Sequence, residues 1–320
     1  MPRVTLIEAL GLLPLDKSAR EARLALAGDA ATPKTRFDLS SLRQLQPRFA
    51  IPLWLGKRPR GRLVPVTNLF NHRQPPPELG WSVRVTRVRD FTGGANTYDS
   101  HNGTDFAVPP GTDVVAAAPG RVIRVSREFH RGGLKVFLDH GGGLATSYNH
   151  LARALVAPGD TVARGQAIAL SGYSGIDAVV GFPWTPPHVH FNVWLDGAYV
   201  DPFPHDGAPS LWRGGAAPVP AAPGEVGASD CAPTAWREAA VGEALEACVH
   251  DEARAEIEAA PTLEEKAGTI LFLVNYFPTR FTARPRLYPE AHARAPRLDL
   301  PFSHRDYDGA FFPSRGPARG

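Results

Sequence analysis

Hydrophobic and polar residues alternate in short segments between residues 81 and 206, and glycines or prolines separate these segments. A period of two places one side of a segment in a core and the other side outside it, which is typical of β-strands. The pattern therefore predicts a mainly β domain, built as a folded antiparallel sheet or a sandwich-like groove. The predicted strands are residues 81–88, 114–117, 121–125, 134–139, 145–148, 167–171 and 188–195.

The pattern changes to helical periodicity after residue 231, where alanine and glutamate become frequent. One helix is predicted over residues 235–259. A second is predicted to begin at the capping box Thr262-Leu-Glu-Glu265 and to end before Pro278, since proline cannot continue a helix. Residues 231–320 are thus predicted to form an α-helical region with an extended tail rich in arginine and proline. That tail either packs as an arm or stays loose.

Two other segments carry weaker patterns. Residues 1–80 are predicted to form a mixed, loop-rich N-terminal extension with one short helix, which opens at a capping box from Ser18 to Glu21. Residues 207–230 are rich in alanine, proline and glycine, a composition typical of a linker. The predicted organisation is therefore an extension, a β domain at residues 81–206, a linker and a helical region.

The 320 residues carry 35 basic and 32 acidic side chains, a formal net charge of +3. This near balance predicts no nucleic-acid partner, and the basic residues 57–62 are interpreted as a solvated loop.

No apolar run approaches the roughly 20 residues of a membrane-spanning helix, so no transmembrane segment is predicted. Glu8 interrupts the first apolar stretch, and no signal peptide is predicted. Cys231 and Cys248 either pair in an oxidising compartment or remain two thiols.

Three short segments of the predicted β domain concentrate histidine beside other residues that bind metals. They are His101-Asn-Gly-Thr-Asp105, Tyr148-Asn-His150 and His188-Val-His190. His188 and His190 project from the same face of the last strand, because residues i and i+2 share a face. His101 and Asp105 would lie about 13 Å apart in a straight strand. A shared ion therefore requires a bent segment, for which Gly103 supplies a permissive backbone.

Two imidazole nitrogens and one carboxylate oxygen fit a tetrahedral Zn²⁺ that keeps one open position, as in catalytic zinc sites. Such an ion acidifies water and polarises the carbonyl under attack. The chain has no His-Glu-x-x-His segment to supply a glutamate base, so a surplus histidine is expected to transfer protons or to stabilise the oxyanion. Spacing alone leaves an alternative, in which the paired histidines only decorate a solvent-facing strand.

Five segments follow one another in an order typical of a known enzyme family. They are HNGTDFAVPPGTDVVAAAPGRVIRV, LDHGGGLATSYNHL, VAPGDTVARGQAIALSGYSG, HVHFNVW and GAYVDP. With them, residues 100–202 resemble the lysostaphin-type (LytM-type) zinc metalloendopeptidases, peptidase family 23 of the metallopeptidases. The resemblance implies a β fold and the hydrolysis of peptide bonds by metal-activated water. It also implies a substrate class, the stem peptides or cross-bridges of bacterial peptidoglycan.

Transferred position by position, the resemblance implies that His101, Asp105 and His190 bind one Zn²⁺ per chain. It implies that His150 and His188 are the catalytic histidines, one as general base and the other as stabiliser of the tetrahedral intermediate, in an order that the sequence leaves open. Two alternatives also stay open: a peptidase acting on a protein outside the wall, and a non-catalytic regulator of another wall hydrolase. The family's substrate implies the cell envelope or the extracellular space.

Four further residues are candidates for the substrate groove. Tyr148 stands two residues before His150, and a core position is its alternative. Phe182 and Trp184 lie in residues 176–187, a loop longer and more apolar than is usual in the family, and are expected to reshape substrate access. Asn192 stands where the family commonly has glutamate, on the face that carries two of the histidines. We expect it to alter a hydrogen bond around the metal site.

Overall fold

A computed structural model describes residues 3–232 and 234–313 of the chain. Its helices are α1 (Leu6–Leu10), α2 (Leu15–Ala27), α3 (Pro47–Trp54), α4 (Asp177–Val180), α5 (Ala239–Ala247), α6 (Asp251–Ala259) and α7 (Leu263–Tyr276). Its strands are β1 (Leu63–Asn68), β2 (Thr104–Ala107), β3 (Asp113–Val115), β4 (Gly120–Glu128), β5 (Gly133–Asp139), β6 (Leu144–Ala154), β7 (Thr161–Val162), β8 (Ala167–Ser171), β9 (His188–Leu195), β10 (Ala198–Tyr199) and β11 (Gly309–Phe311). Among the helices of this described part, none is long and apolar enough to cross a membrane.

The strands of the main sheet follow the order β11-β1-β2-β9-β6-β5-β4-β7. Neighbouring strands are antiparallel except β1 and β11, which run parallel. The end of β6 leaves this path and pairs with β8, which in turn pairs with β3. The predicted fold class, a mainly β domain with an α-helical C-terminal region, is confirmed.

Apolar side chains cover both faces of the sheet. Phe191 and Trp212 belong to the core on one face. On the other face, Phe137 and Trp194 pack against α5, α6 and α7. Residues 270–274 of α7 are buried in this second core, as expected for a packed helix face. Side chains of β9 therefore point alternately into the two cores. The histidines at the beginning of the strand lie on the face that the helices cover.

Six of the seven predicted strands overlap strands of the structure, and residues 167–171 and 188–195 have the predicted bounds. The prediction of a strand at residues 81–88 is wrong. Only two residues of this segment form bridges, each isolated and each to a different stretch of the chain. The alternating pattern is present, but no single partner strand runs along it.

The N-terminal extension, predicted as loop-rich with one helix, holds three helices and a sheet strand. Pro65 interrupts the apolar pattern of β1, but pairing with β2 starts only at Val66. The missing N–H of the proline therefore removes no bond to β2. The helix α2 begins at Leu15 rather than at the predicted capping box, which places Ser18 inside the helix. A capping box exists instead at Thr5, at the start of α1.

Residues 207–230 do not form the predicted linker. Leu211 and Trp212 are buried in the first core. Their backbone N–H groups donate to the carbonyl of Pro202 and to the hydroxyl of Ser210. Burying a large apolar side chain contributes about 1.5–3 kcal/mol. Two such residues therefore hold the segment on the sheet, whatever the flexibility that its small residues and prolines indicate.

The described part of the C-terminal tail packs as an extended arm, one of the two outcomes that the sequence left open. Leu298 and Phe302 enter the first core, and β11 pairs with β1. Residues 314–320 lie outside the described residues. Cys231 and Cys248 are not paired with each other, so the structure shows two thiols rather than a disulfide.

The helix predicted over residues 235–259 is two helices, α5 and α6. Cys248 ends α5 with extended backbone and forms a bridge to Phe281, and the side chain of His250 then caps the start of α6. Thr262 caps α7 as predicted, and α7 ends before the proline at 278. The alanine and glutamate pattern runs through the break because both helices use the same residue types.

Candidate functional site

Three buried side chains converge where β2 and β9 lie side by side. His101 precedes β2, Asp105 lies on β2, and His190 is paired with Asp105 across the two strands. The Nε2 atom of His101 is 3.0 Å from Asp105 Oδ1 and 3.2 Å from His190 Nδ1. His190 Nδ1 is 2.7 Å from the same Oδ1. These three residues form a cluster whose ligand atoms lie close enough together to share one metal ion.

The chain bends between His101 and Asp105, as predicted, but Gly103 is needed there for a different reason. Its backbone is outside the left-handed region that favours glycine. A Cβ atom at this position would lie 2.6 Å from the carbonyl oxygen of Phe191 and 2.8 Å from His190 Nε2. Glycine is required because the segment passes directly against β9, and any side chain would push the metal-binding residues apart.

Residues of β1 and the loop after it orient two side chains of the cluster. His101 Nδ1 donates to the carbonyl oxygen of Leu69 at 2.6 Å, so its Nε2 presents a lone pair to the cluster. Asn68 Nδ2 donates to Asp105 Oδ2 at 2.7 Å, which leaves Oδ1 facing the histidines. Burial would raise the pKa of Asp105, but electrostatic interactions with the neighbouring imidazoles of His101 and His188, and hydrogen bonds with His101 and His190, hold that pKa well below its usual range. The carboxylate stays ionised, as a metal ligand must.

A buried amide network reaches His190 from the other side. His190 Nε2 donates to Asn102 Oδ1 at 3.1 Å, so Nδ1 presents its lone pair to the cluster. Asn192, predicted as a groove residue, is fully buried and donates to the same oxygen at 3.0 Å. Its own Oδ1 accepts from the Tyr276 hydroxyl at 2.8 Å and from Asn149 Nδ2 at 2.9 Å. Tyr276 ends α7, so the helical region contacts the metal-binding cluster through two amides.

The donor set fits a divalent ion that accepts nitrogen and oxygen ligands. Each of the three ligand atoms faces the other two, and a hydrogen bond fixes the opposite atom of each side chain. Burial also lowers the pKa of His190, which favours the neutral imidazole that binds metals. Two imidazole nitrogens, one carboxylate oxygen and room for a further ligand are the composition of catalytic zinc sites.

Two further histidines face the cluster, with their rings 4.8 Å apart. His188 Nδ1 donates to the carbonyl oxygen of Pro186 at 2.9 Å, and its Nε2 is 3.6 Å from Asp105 Oδ1. His150 Nδ1 donates to the carbonyl oxygen of Ser174 at 2.8 Å. Both rings therefore hold a proton on Nδ1 and keep Nε2 available, the arrangement that a proton acceptor or a hydrogen-bonding partner requires.

The backbone of β6 turns His150 towards the site. Its φ angle is +60°. The register of β6 shifts across this residue in the pairing with β5, and again just after it in the pairing with β8. The left-handed backbone re-aims the side chain, as bulges beside active sites commonly do. Burial lowers the pKa of His150 to about 4, against the opposing charge of Asp177, whose carboxylate is 3.7 Å away. His150 is therefore neutral at pH 7.

Three residues predicted to line the substrate groove lie away from the histidines. Tyr148 is on the opposite face of β6, where its hydroxyl accepts from the N–H of Ala117 at 2.9 Å. The period of two would place it beside His150, but the left-handed backbone at 150 breaks that period. Phe182 packs edge-on against Trp54 of α3, with ring centroids 4.8 Å apart. Trp184 is half exposed and lies outside the cavity walls.

A cavity of about 110 Å³ opens onto the histidines. The loop over residues 176–187 does line it, as predicted, although through residues other than the two aromatics. The walls also include parts of the N-terminal extension and the turn between β4 and β5. Residues that line the cavity outside the histidine segments include Thr35, Phe37, Gln44, Gln46, Trp81, Val83, Tyr98, Arg131, Ile176, Asp177, Val180, Thr185 and Tyr276.

Several contributing residues were not predicted from the sequence. Asn102 and Asn149 stand inside the quoted histidine segments, so their spacing was a usable signal for hydrogen-bonding partners. Asn68 and Tyr276 offered no such signal, since they lie 37 and 84 residues from the side chains that they contact. Arg131 lies in a turn whose sequence gives no indication of a site.

Comparison with known proteins places these features in a family. The family model described as Peptidase family M23 matches residues 99–202. An uncharacterized metalloprotease of Haemophilus influenzae is 41% identical over 102 residues, which are 32% of this chain and 20% of that protein. The peptidoglycan DD-endopeptidase ShyA of Vibrio cholerae is 41% identical over 101 residues, which are 32% of this chain and 22% of that protein.

Among solved structures, the catalytic domain of lysostaphin from Staphylococcus simulans is 30% identical to this chain. The match covers 32% of this chain and 77% of that one, with a TM-score of 0.29. The chain spans about a fifth of the length of the two curated relatives named above. The family match at residues 99–202 contains the metal-binding cluster and the two further histidines.

Proposed function

Because residues 99–202 form a domain of peptidase family M23, we propose that this protein is a zinc-dependent metalloendopeptidase that hydrolyses peptide bonds of bacterial peptidoglycan. One observation carries the proposal. The ligand atoms of His101, Asp105 and His190 converge within 3.2 Å of one another, and two histidines with available Nε2 atoms stand beside them. The name of the Vibrio cholerae relative, a peptidoglycan DD-endopeptidase, supports the substrate class.

His101 Nε2, Asp105 Oδ1 and His190 Nδ1 are the proposed ligands of one Zn²⁺. When bound, zinc supplies Lewis acidity, which polarises a carbonyl and acidifies water. The chain's own contribution is to hold the three ligand atoms with their lone pairs inward. The carbonyl of Leu69 and the side chains of Asn68 and Asn102 do this through the hydrogen bonds described above.

His150 and His188 are proposed to divide the proton chemistry of hydrolysis. One Nε2 accepts the proton of the attacking water and passes it to the leaving amine, and the other holds a proton against the developing oxyanion. Carbonyl groups bind both Nδ1 protons. The proton acceptor is then the neutral ring with a bare Nε2, and the oxyanion partner is the imidazolium form, which carries a second proton on Nε2. The low pKa of His150 keeps its Nε2 free of a proton at neutral pH.

Isolated peptidoglycan sacculi test this proposal. The purified full chain, loaded with zinc, is incubated with sacculi beside a His150→Ala variant, and soluble fragments are identified by mass spectrometry. We expect new peptide termini with the wild type alone, and their masses identify the bond that is cut. An absence of released fragments from wild type that holds one equivalent of zinc would overturn the proposed function.

A further inference from the structure

One cation in the wall of the cavity, Arg131, forms no salt bridge with any described residue. Arg131 lies in the turn between β4 and β5 and is only 8% exposed. Among the residues that the structure describes, no carboxylate lies within 4.0 Å of its guanidinium, and its Nε atom has no hydrogen-bond partner. Its other interactions are hydrogen bonds to the carbonyl of His130 and the hydroxyl of Thr35 and a contact with the ring of Trp81.

The turn holds Arg131 next to a candidate catalytic histidine. The carbonyl of Gly132 accepts from the backbone N–H of His150 at 2.8 Å. The carbonyl of Arg131 itself accepts from Lys135 Nζ at 2.7 Å, and Lys135 pairs with Glu128 at 2.5 Å. The backbone position of Arg131 is therefore fixed relative to the reaction site, and both residues line the same cavity.

Burying a guanidinium without a carboxylate destabilises the fold, because only a well-placed partner offsets the lost hydration of the charge. Burial lowers the pKa of Arg131 to about 10, with Asp177 opposing the effect at longer range, so the group is still cationic at pH 7. Arg124, in the β4 strand before this turn, shows the usual arrangement: it pairs with Glu128 at 3.1 Å and with Glu256 at 2.5 Å. Arg131 differs from Arg124 in facing the cavity.

We propose that Arg131 binds a carboxylate of the peptide substrate beside the scissile bond. A guanidinium and a carboxylate form short, charge-assisted and often bidentate hydrogen bonds, and a free carboxyl group is the chemical feature that the unpaired Nε and the cationic charge would recognise. The inference rests on the proposed function for its substrate, since wall peptides carry free carboxyl groups. It narrows the substrate class to peptides with a carboxylate next to the cleaved amide.

A matched pair of cross-linked wall peptides tests the assignment, one with a free carboxyl group next to the scissile amide and the other with a carboxamide there. For wild type we expect amidation to raise KM at least about tenfold with little change in kcat. Arg131→Gln should raise KM for the acid peptide by a similar factor and change KM for the amide peptide little. Arg131→Lys should have a KM for the acid between those of wild type and Arg131→Gln. Arg121→Gln, at an exposed arginine of the preceding strand β4, is the control and should match wild type.

Equilibrium binding of both peptides separates this inference from the proposed function. Measured on zinc-loaded His150→Ala protein, with and without Arg131→Gln, the preference for the acid should be present only with Arg131. Equal dissociation constants for the two peptides, or an equal loss for both in Arg131→Gln, would overturn the carboxylate site whether or not hydrolysis occurs. A clear preference in binding together with no cleavage of sacculi would overturn the proposed function alone.

Discussion

The M23 domain at residues 99–202 and the segments on either side of it contribute to the site in different ways. All five candidate metal-binding and catalytic side chains lie inside the domain. The flanking segments supply the carbonyl that orients His101, the amide on Asp105 and the hydroxyl at the end of the Asn192 network. Chemistry is thus concentrated in one short region, while orientation and access depend on parts of the chain that carry no motif.

The two regions also differ in how they are held together. Inside the domain, pairing between antiparallel strands brings the site residues together. Asp105 and His190, for example, are partners across β2 and β9. The flanks attach through the pairing of β1 with β2 and of β11 with β1, and through large buried side chains such as Trp212 and Phe302. They are therefore integral to the fold, although the composition of residues 207–230 indicates a spacer.

The largest effects should come from the domain's own histidines. His190→Ala removes a proposed metal ligand, so we expect it to abolish zinc retention and activity together. His188→Ala should keep one equivalent of zinc and lower turnover by about 10²–10⁴-fold, the usual effect of removing an acid–base group. Zinc content and hydrolysis rate are measured on the same samples. Near-normal hydrolysis by either variant would contradict the site assignment.

The next effect tests whether the flank is part of the core. Trp212→Ala should lower the free energy of unfolding by about 3–5 kcal/mol, because it leaves a large cavity in the first core at a residue with no exposed surface. Val219→Ala, at a partly exposed position of the same segment, is the control and should change little. Urea titration gives both values. A loss below about 1 kcal/mol for Trp212→Ala would return the segment to the role of a linker.

Within the domain, the turn that carries Arg131 depends on a buried ion pair. Burial raises the pKa of Glu128, but Lys135 and Arg124 outweigh it and lower that pKa from 4.5 to about 2. The ionised form therefore stabilises the fold by about 3 kcal/mol above the unfolded pKa, and this contribution disappears as the pH falls from about 4.5 towards 2.

Glu128→Gln should accordingly lower the free energy of unfolding by about 3 kcal/mol at pH 7. Its difference from wild type should shrink as the pH falls below about 4.5, where wild type also loses the charge. Unfolding curves at a series of pH values measure this difference. A difference that does not depend on pH would show that the carboxylate stabilises by packing rather than by its charge.

The smallest effect tests the contact between the helical flank and the metal site. Tyr276→Phe removes the hydroxyl that donates to Asn192, and we expect zinc affinity to fall about tenfold, the lower end for partners of metal ligands. Tyr288→Phe is the control, since this buried hydroxyl has no hydrogen-bond partner among the described residues. Competition with a chelator measures the dissociation constants.

A double variant sharpens the same test. If Tyr276 acts through Asn192, then Tyr276→Phe should have no further effect on zinc affinity in an Asn192→Ala background. Additive losses would mean that the tyrosine stabilises the fold without orienting the metal ligand.

The sequence predicted most where a pattern and its structural consequence lie within one strand. His188 and His190 share a face because β9 is a regular strand, and its bounds were predicted from alternation alone. Tyr148 takes its alternative, the core position, because a single left-handed residue, His150, reverses the faces of β6. Alternation cannot reveal such a reversal, since a positive φ at a residue other than glycine leaves no mark in the hydrophobic pattern.

Capping boxes show the same limit of sequence-based prediction in the flanking segments. The box at Thr262 opens a helix because the segment after it buries an apolar face. The box pattern at Ser18 lies inside a helix that begins at Leu15, directly after Pro14 in extended conformation. Asn68 and Tyr276 were beyond prediction, because their roles arise from contacts between distant parts of the chain. Local sequence patterns carry no information on such contacts.

Digestion of sacculi at controlled zinc occupancy tests the central claim most directly, because it connects the metal-binding cluster to the proposed reaction in one experiment. The metal-depleted full chain is titrated with zinc, and released peptide fragments are counted by mass spectrometry at each ratio. We predict that the release rate rises in proportion to bound zinc and stops rising at one ion per chain. A rate that does not depend on zinc, or no release at one equivalent, would contradict the account.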